Sequence, residues 1–278
     1  MRIDAHVHFW KPECGFDNRP IADHEAYRRD FMPRDLEPEL VANRIDGMLL
    51  VQTAPQTEET DWLLALAEHA PRILGVTAWV DLDAQHVDFA ALRERPKVVG
   101  IRAQLRRIAD PAYVARPDVV RNLGAALEAG LGVTILAEPR HYAHVQQVLR
   151  KLPEGPITLN HLGLVFPDTD RQAWREAMRG FATRDRLFVQ LSGLPFLCGE
   201  RWRGPRAASI IDDAFEILGH ERLVFASDWP MLTRFATYGD WVHHVDDYLD
   251  AHDVADDARE CIFSRNVRLA NPLLEIRS

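Results

Sequence analysis

Cysteine is scarce in this chain of 278 residues: only Cys14, Cys198 and Cys261 are present. They are odd in number, far apart and form no CxxC pair. This excludes a disulfide framework and a zinc-knuckle or CxxC redox motif, and predicts free thiols in a reducing compartment. Long apolar runs are also lacking. None approaches the roughly 18 to 20 residues that span a bilayer, and no basic start precedes an apolar signal core, so the expected location is the cytoplasm. Positive charge is in deficit, with 33 Lys and Arg against 42 Asp and Glu and a net charge of −9. That balance argues against nucleic acid and anionic membrane as partners, since both are bound by excess Lys and Arg. The expected partner is a small molecule, and the sequence leaves a homo-oligomer open. There is no GxGxxG after the first apolar run, no GxxxxGK[ST], no Gly/Ser-rich linker and no short repeat. Nucleotide folds lose their usual support, and one domain over 1–278 is expected.

What is present is a 47% hydrophobic chain able to bury a large core. Short apolar, β-branched runs recur at 2–8, 47–52, 73–80, 98–102, 132–138, 157–161, 187–192 and 223–228. Stretches with apolar residues at three- and four-residue spacing lie between them, at 58–69, 117–129, 141–152, 170–183 and 205–218. Eight buried strands alternating with helices predict an α/β fold, a single-domain (β/α)8 TIM barrel. In that fold the loops after strands form the catalytic face, which makes 11–33 and 193–205 candidate lids or substrate walls.

Polar residues collect at the ends of these runs: His6 and His8, Gln52, Trp79, Arg102, Glu138, His161, Gln190 with Ser192, and Asp228. Barrel cores are apolar, so polar strand ends read as site residues. Strict alternation places Asp4, His6 and His8 on one strand face, with two imidazoles side by side as a metal ion or a polarised oxygen requires. Asp228 ends the run Leu223-Val224-Phe225-Ala226-Ser227. A buried carboxylate there needs a partner or a metal, and in a closed barrel the eighth strand neighbours the first. It is a candidate metal ligand or general base. Alternation leaves open whether Asn160 or His161 faces the pocket, because a local bulge would turn either one inward. Arg102 suits a substrate carboxylate or the oxygens of a sugar acid, or else an internal ion pair with Glu138. Glu138, Arg140 and His141 form a further polar group. The other histidines, His24 among them, are expected to be ordinary solvated side chains.

Taken together, Arg2 to Trp10 with its HxH, Trp79-Val80-Asp81-Leu82, Gly100-Ile101-Arg102, Pro139-Arg140-His141, Asn160-His161-Leu162-Gly163, Leu191-Ser192-Gly193 and Ser227-Asp228-Trp229-Pro230 resemble the amidohydrolase superfamily. The likeness is to its lactonase branch, which includes L-fuconolactonases, related sugar lactonases and 2-pyrone-4,6-dicarboxylate lactonases. The resemblance implies hydrolysis of a small lactone, above all a sugar-derived aldonolactone, to its hydroxy acid. It implies catalytic roles for His6, His8, His161 and Asp228, and substrate contact by Arg102. Trp79, Glu138, Arg140 and Trp229 are further candidates for substrate binding. Some members of the branch use a divalent ion, so His6, His8 and Asp228 are candidate ligands for one metal, zinc first; other members use none. Where binuclear relatives carry a lysine, strand four here ends in Arg102, which argues against two metals. A decarboxylase of the same superfamily and a non-catalytic binding barrel are the rival readings.

Overall fold

The computed structural model describes residues 1–18 and 23–275. Part of the 11–33 loop, including Pro20, and the last three residues of the expected domain lie outside them. Eight parallel strands follow one another around a single sheet: β1 (Ile3–Val7), β2 (Gly47–Val51), β3 (Ile73–Ala78), β4 (Val98–Gln104), β5 (Gly132–Leu136), β6 (Ile157–Leu159), β7 (Leu187–Leu191) and β8 (Leu223–Phe225). The ring closes just beyond β8. Val7 bridges Trp229, with bonds from His8 N–H to Trp229 C=O (2.7 Å) and from Asp228 N–H to His6 C=O (3.0 Å). The residues that complete the barrel are therefore neighbours of the candidate site. Strand and helix alternate as expected for a (β/α)8 barrel.

The helices that follow the strands include α1 (Pro33–Ala42), α2 (Thr57–His69), α3 (Phe89–Arg93), α4 (Pro117–Glu128), α5 (Tyr142–Leu149), α6 (Arg171–Phe181), α7 (Pro205–Leu218) and α8 (Tyr238–Ala251). Local chemistry explains their ends. Pro117 occupies the first turn of α4, where its missing N–H costs nothing, and Asp118 complements the positive end of the helix dipole. Asp170 caps α6 by accepting from Ala173 N–H (2.8 Å). Its buried face is Trp174, Ala177, Met178 and Phe181, at three- and four-residue spacing. The sequence reading missed α1, α3 and α8. In α1 only Leu36 and Leu40 are buried, and Pro38 sits inside the helix, so its periodic signal is short.

A C-terminal helical segment, also unforeseen, runs through Asp256–Glu260, Cys261–Arg265 and Asn266–Ala270. Its Val267 and Ala270 join Ile3, Ala5, Leu49, Phe188, Val224 and Ala226 in an interior cluster that floors the barrel. The close approach at this floor accounts for Gly132, where a Cβ would lie 2.5 Å from the Ala270 carbonyl oxygen. All three cysteines are free. Among the described residues no helix is long and apolar enough to cross a membrane.

One expected alignment fails. The β1–β2 pairing slips between Asp4 and Val7, so that three steps on β1 answer two on β2. This bulge changes the parity of the strand. Ile3 and Ala5 belong to the interior cluster, whereas Asp4 accepts a hydrogen bond from Tyr238 of α8 (3.0 Å). Asp4 is thus a buried outer-layer residue that also accepts from the N–H groups of His6 (3.1 Å) and Ser227 (2.9 Å), tying β1 to the end of β8.

Candidate active site

Four side chains from three places in the chain meet just past the strand ends. His6 Nε2 lies 3.0 Å from His8 Nε2. Asp228 Oδ1 lies 3.5 Å from His8 Nε2, 3.7 Å from His6 Nε2 and 3.7 Å from His161 Nε2. All four residues are buried. His8, His161 and Asp228 line a cavity of about 290 Å³ together with Arg102, Glu138 and Arg234.

Backbone conformation aims two of them. His161 (φ +49°) and Asp228 (φ +61°) both occupy the left-handed region, which costs an L-residue energy and persists where the surroundings hold it. The left-handed turn beginning at His161 resolves the question that alternation leaves open. Both neighbours point inward, with Asn160 against His6 and Gln190 and His161 against Asp228. Gly193 follows from the same geometry. A Cβ there would sit 2.7 Å from His161 Cβ.

Each histidine is held from behind. His8 Nδ1 lies 2.6 Å from the Val51 carbonyl oxygen and His6 Nδ1 lies 2.9 Å from Gln190 Oε1. The Val51 carbonyl only accepts, so His8 carries its hydrogen on Nδ1 and presents a lone pair at Nε2, whereas His6 Nδ1 also has Asn160 Nδ2 3.2 Å away. The two Nε2 atoms face each other at 3.0 Å beside a carboxylate. His161 differs: its Nδ1 meets Ser192 Oγ (2.8 Å), a hydroxyl that either donates or accepts.

Burial pushes His6 well below the ordinary histidine range and His161 down to about 4. Burial acts to raise the Asp228 carboxyl, but His161, His8 and Arg102 outweigh it and hold it below its ordinary value. At neutral pH His6 and His161 are neutral and Asp228 is ionised. The positive charge this cluster calls for then comes from Arg102 or from a bound cation.

The donor set fits such a cation. The ligand atoms of His6, His161 and Asp228 lie within 4.8 Å of one another, and His8 Nε2 is closer still to His6. Zn–N and Zn–O bonds of about 2.0–2.2 Å in a tetrahedron correspond to ligand separations of roughly 3.3–3.6 Å. The observed 3.0, 3.5 and 3.7 Å separations bracket that range. Each ring nitrogen on the far side has a hydrogen-bonding partner, as metal-bound histidines require.

Arg102 is buried, donating to the Gln52 carbonyl oxygen (3.2 Å) and Asn160 Oδ1 (3.3 Å). Burial lowers its guanidinium to about 10, still charged at neutral pH. The alternative of an Arg102–Glu138 ion pair is not what forms. Glu138 instead pairs with Arg140 Nε (2.5 Å) and lies 3.8 Å from Arg106 Nε. Arg140 does not line the cavity; it donates to the Ala109 (2.9 Å) and Ile108 (3.0 Å) carbonyls and so braces the loop after β4. Trp229 does not line it either, because its ring packs against Phe9 and Phe31 with centroids 5.6 and 5.3 Å away. Trp79 lines a second cavity, of about 370 Å³, that shares Arg102, Gln104 and Arg107 with the first. His24, expected to be solvated, lines the site cavity beside Tyr27. Its loop position gave no signal that would have placed it there.

The sequence pattern of the amidohydrolase family matches residues 3–268. An L-fucono-1,5-lactonase of Burkholderia ambifaria is 31% identical over 272 residues, covering 96% of this chain and 93% of that protein. A crystal structure of an amidohydrolase from Burkholderia multivorans with bound zinc superposes with a TM-score of 0.85 at 29% identity, covering 96% of this chain and 98% of that one. A 2,6-dihydroxybenzoate decarboxylase superposes with a TM-score of 0.64 at 18% identity and 99% coverage of each chain, a likeness of fold alone.

Proposed function

We propose that this chain, which belongs to the amidohydrolase family, opens the ring of a small sugar-derived lactone to give the hydroxy acid. One observation carries the reading: His6, His8, His161 and Asp228 converge beside a cavity of about 290 Å³, in a chain alignable nearly end to end with a lactonase. That volume is at the small end of the range for ligand pockets, roughly 300–1,000 Å³, and suits a single ring.

Hydrolysis needs a water oxygen bonded to the carbonyl carbon, an oxyanion stabilised, and a proton delivered to the ring oxygen as the acyl–oxygen bond breaks. Asp228, ionised and at the end of the pocket, takes the proton of the attacking water. The same carboxyl then returns it to the leaving ring oxygen, so one water is consumed and the enzyme ends as it began. His161 has a tautomer not fixed by its partner, and it carries a hydrogen on Nε2 toward the developing oxyanion. Arg102 and Glu138 meet the substrate hydroxyls from the wall. His6, His8 and Asp228 would hold one divalent ion, zinc first, with the His161 Nε2–H left for the substrate oxygen. Bound there, it supplies Lewis-acid polarisation of the carbonyl and a more acidic water.

The test is acid release from a panel of aldonolactones, followed by pH indicator, with protein stripped of metal and then given zinc or manganese. Turnover of at least one sugar lactone is the expected result. No acid from any lactone under either condition would overturn the proposal, and carbon dioxide release from a carboxylated ring would favour a decarboxylase.

A further inference from the structure

We infer that Arg102, Asn160 and Gln190 form a hydrogen-bond relay that sets the tautomer of His6 and so turns its Nε2 lone pair toward the proposed cation site. The inference rests on the reading of that site given above. Its logic is one of donors and acceptors. A guanidinium only donates, so the Asn160 atom 3.3 Å from Arg102 Nε is the oxygen. The Asn160 nitrogen therefore points the other way, 2.6 Å from the Gln190 side chain, and the atom it meets is Oε1. The opposite end of Gln190 agrees independently. Its Nε2 lies 3.3 Å from the Ala5 carbonyl oxygen, which accepts only. Both anchors thus assign the same orientation to the Gln190 amide.

Gln190 Oε1 is then left facing His6 Nδ1 at 2.9 Å. Asn160 Nδ2 lies 3.2 Å from the same ring nitrogen, so a His6 with its hydrogen on Nε2 would gain a donor there. That tautomer would also set the Nδ1 and Gln190 Oε1 lone pairs against each other at 2.9 Å, the shorter contact. On the far side of the ring Nε2 meets the His8 Nε2 lone pair at 3.0 Å, a contact that a cation between the two nitrogens relieves, so with the cation bound the hydrogen sits on Nδ1. Neither Asn160 nor Gln190 lines the cavity. They are positioning residues, acting through His6.

The experiment uses full-length protein loaded with zinc, with ¹⁵N-labelled histidine. NMR reports which ring nitrogen of His6 bears the hydrogen, the signal being assigned from its loss in His6→Asn. Zinc affinity is measured in parallel by competition with a chromophoric chelator. In wild type the hydrogen is expected on Nδ1. Asn160→Asp still accepts from Arg102 but has no hydrogen for Gln190, whose amide turns over; His6 then shifts to the Nε2–H form and zinc affinity falls about 10- to 100-fold. Gln190→Glu still accepts from both neighbours, so it keeps the wild-type tautomer and binds zinc within a few-fold of wild type. Gln190→Leu, which removes the acceptor, serves if Asn160→Asp does not fold, and should also lose the Nδ1–H form. An Nε2–H His6 in wild type would overturn the relay, as would an unchanged tautomer and unchanged zinc affinity in Asn160→Asp or Gln190→Leu. A wild type that shows the Nδ1–H form but opens no lactone would overturn the proposed reaction while supporting the relay.

Discussion

Replacing Gly193 by alanine separates the aim of His161 from general stability. Gly193 has φ +81° and ψ −15°, a left-handed conformation that costs an alanine roughly 1–2 kcal/mol. Its Cβ would also stand 2.7 Å from His161 Cβ and 3.1 Å from Cγ. Carbon atoms rest at about 3.5–4.0 Å, so one side must move by roughly 1 Å, and overpacking of this kind costs about 1–3 kcal/mol. Together the two effects lower the unfolding free energy by about 2–5 kcal/mol. A displacement near 1 Å of a reacting group lowers the rate by roughly 10²-fold. Gly130→Ala is the matched control: its φ is +82°, yet its nearest neighbour, Arg93 Nη1, lies 3.5 Å from the new Cβ, an ordinary contact. Urea unfolding and steady-state lactone hydrolysis on both variants give the comparison. Gly130→Ala should lose about 1–2 kcal/mol with unaltered kcat/KM, whereas Gly193→Ala should lose more and slow by roughly 10²-fold. Equal behaviour of the two variants in both assays would refute the reasoning.

Asp228→Asn removes the proton carrier and is expected to lower kcat by about 10²- to 10⁴-fold, with far-UV circular dichroism unchanged; a loss under tenfold would count against its role. Zinc at 100 times its dissociation constant should stabilise the metal-free protein by about 2.7 kcal/mol in urea unfolding, and His8→Asn should abolish that gain. A gain that survives in His8→Asn would place the ion elsewhere. Burial pushes the Glu59 carboxyl up to about 6 from an ordinary 4.5, partly offset by hydrogen bonds from Thr53 and Ala54. Because the folded value is the higher one, its contribution is greatest below about 4.5 and declines by about 2 kcal/mol as pH rises through 6. The wild-type minus Glu59→Gln difference in unfolding free energy should fall by that amount across this window, and a difference independent of pH would contradict the assignment.

The strands were legible because a parallel barrel buries both faces of each strand, which leaves continuous apolar runs such as Gly47–Val51. Most helices with long buried stripes were legible from their three- and four-residue spacing, α8 with its Tyr238, Trp241, Val242, Val245 and Leu249 being the exception. Short α1 and α3 carry too few buried residues to stand out, and the C-terminal segment that floors the barrel buries Cys261 to Ser264 in succession rather than at helical spacing. Within the site, His6, His8 and Asp228 were legible from residue type and position. Two features were not. The Asp4–Val7 bulge depends on how β1 pairs with β2, so simple alternation wrongly placed Asp4 with the histidines. The orientation of Asn160 and Gln190 depends on Arg102, 58 residues before Asn160, a relation that no local pattern contains. Trp229 and Arg140 read as substrate contacts because of their neighbours, whereas packing against Phe9 and Phe31 and bonds to the Ile108 and Ala109 carbonyls occupy them instead.

The most direct measurement is the structure of Asp228→Asn soaked with an aldonolactone that wild type turns over. The account predicts the lactone carbonyl in the first cavity, with its carbonyl carbon about 3–3.5 Å from a water held by residue 228 and its oxygen turned toward the Nε2–H of His161. A lactone ring seated in the neighbouring cavity beside Trp79, with its carbonyl out of reach of His161, would contradict it.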